Sequence, residues 1–416
     1  MSLLLALPGD RSLEVEPGPS LLAGALDGPG LDPHVARHGR LPRLTTAHLA
    51  AALEATGLRG RGGAGFPFAR KLRTAARHHG RRVVVVNLGE GEPASHKDAA
   101  LARVAPHLVL DGAVVVGHAL HAREVHLVLP GDRPDVGAAV HQALKERAEA
   151  TALRADRVRW RVHEAGDHFV AGQSAAVLEL MAGNPNLPVS TWRPTAERGH
   201  RGRPTLLSNA ETFAHVAATA LGTSGPGPGT TLLTLDGDSG AARVREVRLG
   251  LPWRHVLTPT ELGSPVLLGG YHGTWAAPRA LERHRVSRTD LDDAGLTLGA
   301  GVVLPLRSGC PVTRTARLVT YLAGQSAGRC GPCVHGLPAL AETVTSLAAP
   351  TSSSTARAEA SRLASVVDRR GACAHPDGTA RLVRSLLTAY GDEVAAHAEG
   401  GCTFAMAGGA PEAVPA

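Results

Sequence analysis

Between residues 57 and 67 the chain reads GLRGRGGAGFP, with glycine at 57, 60, 62, 63 and 65. Glycine lets the backbone approach a ligand closely and take φ values closed to other residues. A helix is expected right after Phe66-Pro67, and amides at a helix N-terminus favour a phosphate. Gly60, Gly62 and Gly65 also spell G-x-G-x-x-G, the string of dinucleotide-binding folds. That fingerprint needs a strand before it and an acid about twenty residues on. Here a helix precedes, and the acids Glu90 and Glu92 fall only after the next strand. The segment therefore reads as a phosphate-cradling loop outside the Rossmann pattern, with a plain flexible turn as the alternative.

The elements that must hold this loop follow from periodicity. Leu49, Ala52 and Leu53 predict a helix over 45–56, and another is expected over 69–78. The run VVVV in 82–87 is the short, wholly apolar stretch of a parallel strand buried on both faces. Helices over 106–122 and 134–150 alternate with strands over 124–130 and 158–163, which predicts an α/β domain. From 228, short strands separated by Gly and Asp turns indicate a small β-rich domain. After Cys310 the pattern is helical to about 398, interrupted by the polar loop 349–356. Residues 1–42, rich in Pro and Gly, read as an irregular arm, and the tail beyond 400 as loose.

Composition removes several function classes. The 416 residues are 43% hydrophobic and 19% charged, enough apolar matter for a packed core. No apolar stretch is long enough for a membrane span, and the N-terminus lacks the basic region of a secretory signal. Five cysteines make no disulfide scaffold, so a cytoplasmic location is expected. The net charge of +7 invites a nucleic-acid reading, but the arginines are scattered and aromatics are 3%. Of 44 basic residues only Lys71, Lys97 and Lys145 are lysines. Such a skew reads as codon bias, which makes each retained lysine informative.

The motifs GLRGRGGAGFP-(x3)-K, VVNLGEGEP-(x3)-KD, AGQSAAVLELMAGNP, GRPTLLSNAETFAHV, GGYHGTW and GPC-(x39)-C occur in that order over about 45–405. In this the chain closely resembles the NADH-binding flavoprotein subunit of complex I and its relatives in soluble hydrogenases and formate dehydrogenases. The resemblance implies FMN lined by Gly62, Gly63, Ala64 and Gly65, with Phe66 stacking near the nicotinamide or adenine. It implies Lys71 beside the bound nucleotides, Asn87 at the flavin edge, and Asn209 and Thr212 against FMN. Glu90 and Glu92 would sit on the turn after the strand, with Glu92 hydrogen-bonding a ribose or carboxamide of NADH; a solvated turn is the other reading of both acids. The implied chemistry is hydride transfer from NADH to FMN, then single-electron steps to an iron–sulfur centre or a protein acceptor. No side chain need act as acid or base.

The resemblance also implies an α/β flavin domain (43–227), a β-grasp domain of the soluble-ligand-binding type (228–305) and a helical iron–sulfur-type domain (306–400). It implies a partner of the thioredoxin-like iron–sulfur type, which would make the chain at most peripheral to a membrane. Departures are visible. Gly89 replaces a usual Asp, Leu72 a common aromatic and Ser208 a usual Asn. Gln173 and Ser174 stand where the family has two acids, CGEETA becoming AGQSAA. The family's C-x2-C-x2-C reads Ala327-x2-Cys330-x2-Cys333 here, followed by Cys373, so one of four cluster thiolates is missing. Three outcomes stay open: a [4Fe-4S] cluster on three cysteines with water, Ser326 or His335; a Cys3His zinc site using His335 or His375; or buried thiols without metal. Cys310 and Cys402 lie outside this spacing and read as ordinary residues. The departures keep a second function open, a degenerate homologue acting as a scaffold or assembly subunit.

Overall fold

The computed structural model describes residues 5–7, 10–150, 158–225, 229–236, 242–349 and 355–404. The chain forms two units: Met1–Gly91 with Ser95–Leu235 and Ala241–Leu249, and Glu92–Ala94 with Asp236–Gly240 and Gly250–Ala416.

The first unit opens with β1 (Leu5–Leu7), β2 (Asp10–Val15), α1 (Leu31–His38), α2 (Thr46–Ala55) and α3 (Phe68–Arg77). β3 (Val83–Asn87) leads into α4 (Lys97–Val104) and α5 (Pro106–Ala119), then β4 (Glu124–Pro130) into α6 (Pro134–Glu149). β5 (Arg159–Ala165) precedes α7 (Ser174–Ala182), and β6 (Thr205–Asn209) runs straight into α8 (Ala210–Ala220). β7 (Thr230–Leu235) and β8 (Ala242–Arg248) complete the unit.

The strands β5-β4-β3-β6 form a wholly parallel sheet. β3 is buried along its whole length, and alternation sends its valines to opposite sides. Val84 and Val86 join the large core with Leu101, Val115 and Phe213, whereas Val83 and Val85 pack with Val177 and Met181 of α7. That two-sided burial is why the strand shows no polar alternation. From β3 the chain crosses to β4 on one side, and after β5 it returns to place β6 on the other. The C-terminal ends of β3 and β6 are therefore the switch point of the sheet, where open α/β folds bind ligands.

The expected helices and strands of this stretch are all present, with ends moved by a few residues. The irregular arm read over 1–42 is corrected: β2 pairs in parallel with β8, Leu13 opposite Ala242, and α1 follows. The buried Glu246 carboxylate accepts from the backbone N–H groups of Ser20, Leu21 and Leu22 at 3.0–3.1 Å, which fixes the chain beyond β2. β7 and β8, the first strands of the β-rich stretch, are antiparallel and group with this unit.

The second unit contains α9 (Pro259–Leu262), β9 (Val266–Leu268), β10 (Thr274–Ala276), α10 (Arg288–Asp293) and β11 (Val302–Pro305). Both β10 and β11 pair antiparallel with β9. Helices α11 (Pro311–Gly324), α12 (Leu337–Leu347), α13 (Ala356–Val367), α14 (His375–Ala389) and α15 (Gly391–Ala398) follow. Pro311 begins α11, where its missing N–H costs no helical bond. Val312, Val319 and Leu322 form its fully buried stripe. Trp275 donates its indole N–H to Thr315 Oγ1 at 2.8 Å, and Tyr390 its hydroxyl to the Ala276 carbonyl at 3.2 Å, binding β10 to the helices.

Candidate functional site

Register places Asn87 opposite Asn209 at the C-terminal ends of β3 and β6. The glycine-rich loop joins α2 to α3 and is closed by Gly60 N–H donating to the Phe66 carbonyl at 2.9 Å. Arg61 N–H donates to Thr212 Oγ1 at 3.0 Å, fastening the loop to the first turn of α8. A Cβ added at Gly62 would stand 3.8 Å from the Asn209 Cβ. Gly63 and Gly65 have φ of +97° and +61°, a region glycine enters without penalty. A Cβ added at Gly63 would meet nothing within 4 Å, so this stretch of backbone borders open space. Ala64 is exposed, and Phe66 is 46% exposed with the Arg70 guanidinium 5.3 Å from its ring centroid.

Lys71, on α3, donates to the Leu207 carbonyl of β6 at 2.6 Å, and burial pulls its pKa down. An anion beside this ammonium would offset that cost. Asn87 donates to the Gly172 carbonyl at 2.9 Å and accepts from Gly89 N–H at 3.1 Å, so the turns after β3 and before α7 are held together. Gln173 occupies the N-cap of α7 without capping it. The structure thus gathers the loop, Lys71, Asn87, Gln173, Asn209 and Thr212 around one end of the parallel sheet. The two acids have other partners here. Glu90 accepts from Ser95 Oγ at 2.6 Å and Ala99 N–H at 2.9 Å, capping α4. Glu92 groups with the second unit and accepts from Tyr271 N–H at 2.7 Å.

Below the loop lies a charge cluster that sequence reading singled out only through Lys97. Lys97 is 2% exposed, and its ammonium stands 3.1 Å from Asp98 Oδ2 and 3.0 Å from Glu211 Oε2. Asp98 also accepts from Asn209 Nδ2 at 3.1 Å and from Glu211 N–H at 2.9 Å. Glu211 accepts from Leu232 N–H at 2.9 Å and Thr231 Oγ1 at 3.1 Å, with Arg61 and His215 each 3.7 Å away. Burial pulls the Lys97 ammonium down, but Asp98, Glu211 and Glu90 outweigh it and hold it above its usual range. Burial likewise disfavours charge on Glu211, yet Lys97, His215 and Arg61 hold it well below the usual carboxylate range. Burial, reinforced by Glu90 and Glu211, pushes Asp98 up to about 6 against the pull of Lys97. Thr212 Oγ1 completes the set by donating to Asn209 Oδ1. The cluster sets the positions of Asn209, Thr212 and Arg61, and through them the loop. Its members Asp98 and Glu211 lie in the KD and NAET of the sequence motifs, which is the signal that could have found them.

In the second unit Cys330 and Cys333 have their sulfurs 3.5 Å apart around the π-turn Pro332–Gly336. Burial raises the Cys373 thiol to about 11, and Cys333 and Cys330 are near enough to add to this. Ala327, three residues before Cys330, offers no ligand atom. His335 is exposed, and His375 is engaged elsewhere, its Nε2 2.8 Å from the Leu322 carbonyl and its Nδ1 3.1 Å from His272 Nε2. Cys310 and Cys402, read as ordinary, lie together with Glu393 and His397.

Residues 53–218 match the Nuo51 FMN-binding domain, and residues 313–397 the NADH-ubiquinone oxidoreductase-F iron–sulfur binding region. The F subunit of NADH-quinone oxidoreductase in Streptomyces coelicolor is 26% identical over 385 residues, 86% of this chain and 84% of that protein. The protein of the same name in Mycobacterium tuberculosis is 27% identical over 387 residues, 84% of each chain. Among solved structures, an NAD+-reducing [NiFe]-hydrogenase in the H2-reduced state superposes with a TM-score of 0.75 at 25% identity. That likeness covers 85% of this chain, which spans 63% of the hydrogenase chain.

Proposed function

From the premise that this chain belongs to the family of NADH-quinone oxidoreductase F subunits, we propose that it binds FMN at the β3–β6 end of its parallel sheet and accepts a hydride from NADH. The observation that carries this reading is the cradle itself: a glycine loop with open space at Gly63, fastened to Thr212, beside a half-buried lysine at the sheet's switch point. FMN fits these residues. The loop backbone of Gly62, Gly63, Ala64 and Gly65 would hold the phosphate and ribityl side, with Lys71 as counter-charge. Asn87, Asn209 and Thr212 would align the ring edge, Phe66 would offer an aromatic face to NADH, and Gln173 would face the ring as a neutral hydrogen-bonding group. When bound, the flavin supplies the hydride and one-electron chemistry. The protein's part is orientation: Asp98 and Lys97 lock Asn209, and Arg61 locks the loop to α8. With Gln173 and Ser174 in place of acids, the site has less negative charge near the ring, which favours a higher flavin potential.

A four-thiolate [4Fe-4S] cluster does not fit as the chain stands, because beside Cys330, Cys333 and Cys373 the chain carries Ala327 where the family motif has its remaining cysteine. Restoring the position by Ala327→Cys is expected to raise bound iron after anaerobic reconstitution towards four per chain, measured by iron and sulfide content. Iron unchanged from the parent would show that the pocket no longer holds a cluster.

Electrons leaving the flavin would pass to a protein partner, the thioredoxin-like iron–sulfur subunit being the class the family resemblance implies. Among the described residues no single helix is long and apolar enough to cross a membrane, and we place the chain in the cytoplasm, at most peripheral to a membrane through partners. The test is anaerobic reconstitution of the full chain with FMN followed by NADH. Retained flavin whose yellow band bleaches with NADH is the expected result. Failure to retain FMN sinks the reading. Retained flavin that NADH leaves oxidised supports the second reading, a scaffold or assembly subunit, which Ala327, Gln173 and Ser174 favour.

A further inference from the structure

The C-terminal helices bring four metal-ligand side chains together from three distant places. Cys310 immediately precedes α11, Glu393 and His397 are one turn apart on the same face of α15, and Cys402 follows that helix. Cys310 Sγ is 3.3 Å from His397 Nε2 and 3.5 Å from Glu393 Oε1, and His397 Nε2 is 3.2 Å from the same oxygen. All four ligand atoms lie within 4.8 Å of one another. Cys310, Glu393 and His397 are buried, and Cys402 closes the site from the solvent side.

We propose that Cys310, Glu393, His397 and Cys402 bind a zinc ion that ties the end of the chain to the start of α11. This site is separate from Cys330, Cys333 and Cys373 and is independent of the flavin. With ordinary Zn–S, Zn–N and Zn–O bonds, a tetrahedron has ligand–ligand edges of about 3.4–3.8 Å. Of the three edges among Cys310, Glu393 and His397, 3.5 Å lies within that range and 3.2 and 3.3 Å are slightly short of it, while Cys402 stands within 4.8 Å of the others, so the ion enters with small outward adjustments of the first three and an inward one of Cys402. Two thiolates, an imidazole and a carboxylate form a donor set that selects zinc over magnesium or calcium. Four protein ligands leave no open position, the mark of a structural rather than a catalytic ion. Thr403 N–H donates to the Glu393 carboxylate at 3.2 Å, and its hydroxyl to Oε2, which orients the carboxylate from outside the ligand shell.

The test uses the full chain, purified under reducing conditions without chelator, beside a Cys330→Ser/Cys333→Ser/Cys373→Ser variant. Both are expected to hold about one zinc per chain. Zinc content should fall at least tenfold in Cys402→Ser and in His397→Ala. Exchange with Co2+ should give thiolate-to-cobalt absorption and tetrahedral ligand-field bands, with the charge-transfer intensity per bound cobalt about halved in Cys402→Ser. Because Cys402 is exposed, that variant is expected to fold even if Cys310→Ser does not. Zinc near zero in the parent after reconstitution with Zn2+ overturns the proposal. So does zinc unchanged in both single variants, or a Cys310–Cys402 disulfide found by mass spectrometry in freshly lysed cells.

Discussion

Lys97→Met is expected to lower stability by roughly 3–5 kcal/mol, the cost of leaving buried carboxylates without their counter-charge. Asp98 and Glu211 both lean on this ammonium at 3.0–3.1 Å, and both are buried. Methionine fills much the same volume, so the loss reports charge rather than a cavity. The urea midpoint followed by far-UV circular dichroism reads the effect. Pairing Lys97→Met with Glu211→Gln should recover part of the loss, because the second change removes one of the stranded charges. A change below about 1 kcal/mol in Lys97→Met, the scale of an exposed ion pair, would mean the cluster is not a buried network in solution. Flavin retention should fall along with stability, since Asn209 is aligned by Asp98.

Gly63→Val is expected to weaken FMN binding by about a hundredfold, roughly 2.7 kcal/mol. Two physical effects act together. A β-branched side chain at φ +97° distorts the loop. Its methyls would also enter the space where an added Cβ now meets nothing within 4 Å, the space assigned to the ligand. Gly80→Val separates the two, because Gly80 has φ +101° and equally open surroundings but lies between α3 and β3, away from the cradle. Flavin titration by fluorescence quenching should give a parent-like Kd for Gly80→Val. Equal losses in both variants would assign the effect to general strain, and no loss in Gly63→Val would remove the loop from the site.

Local chemistry explains what could be read before the structure. The four valines of β3 needed no partner to declare themselves, because a strand covered on both faces has no polar alternation. The glycine loop was legible because positive φ and close approach restrict a position to glycine. The missing thiolate at Ala327 is visible only against the motif of the family the chain resembles. The strand Asp10–Val15 was not legible, since β8, which joins it to the rest of the sheet, lies more than two hundred residues away, and beside it stands only the three-residue β1. Glu90 and Glu92 could be placed on a turn, but not the backbone N–H groups they accept from.

By itself, then, the order of residues determined the α/β class and the glycine-rich loop, where spacing and side-chain type among near neighbours carry the information, while Lys71, Asn87 and the trio Cys330, Cys333 and Cys373 were singled out through the family resemblance. Tertiary structure alone decided how charge is neutralised beneath the cradle, through Lys97, Asp98, Glu211 and Arg61. It alone decided that Cys310 and Cys402, ordinary by spacing, stand with Glu393 and His397. Burial makes both groupings matter: a charge or thiol removed from water must find its partner in space, and strand order and helix packing choose which one it finds.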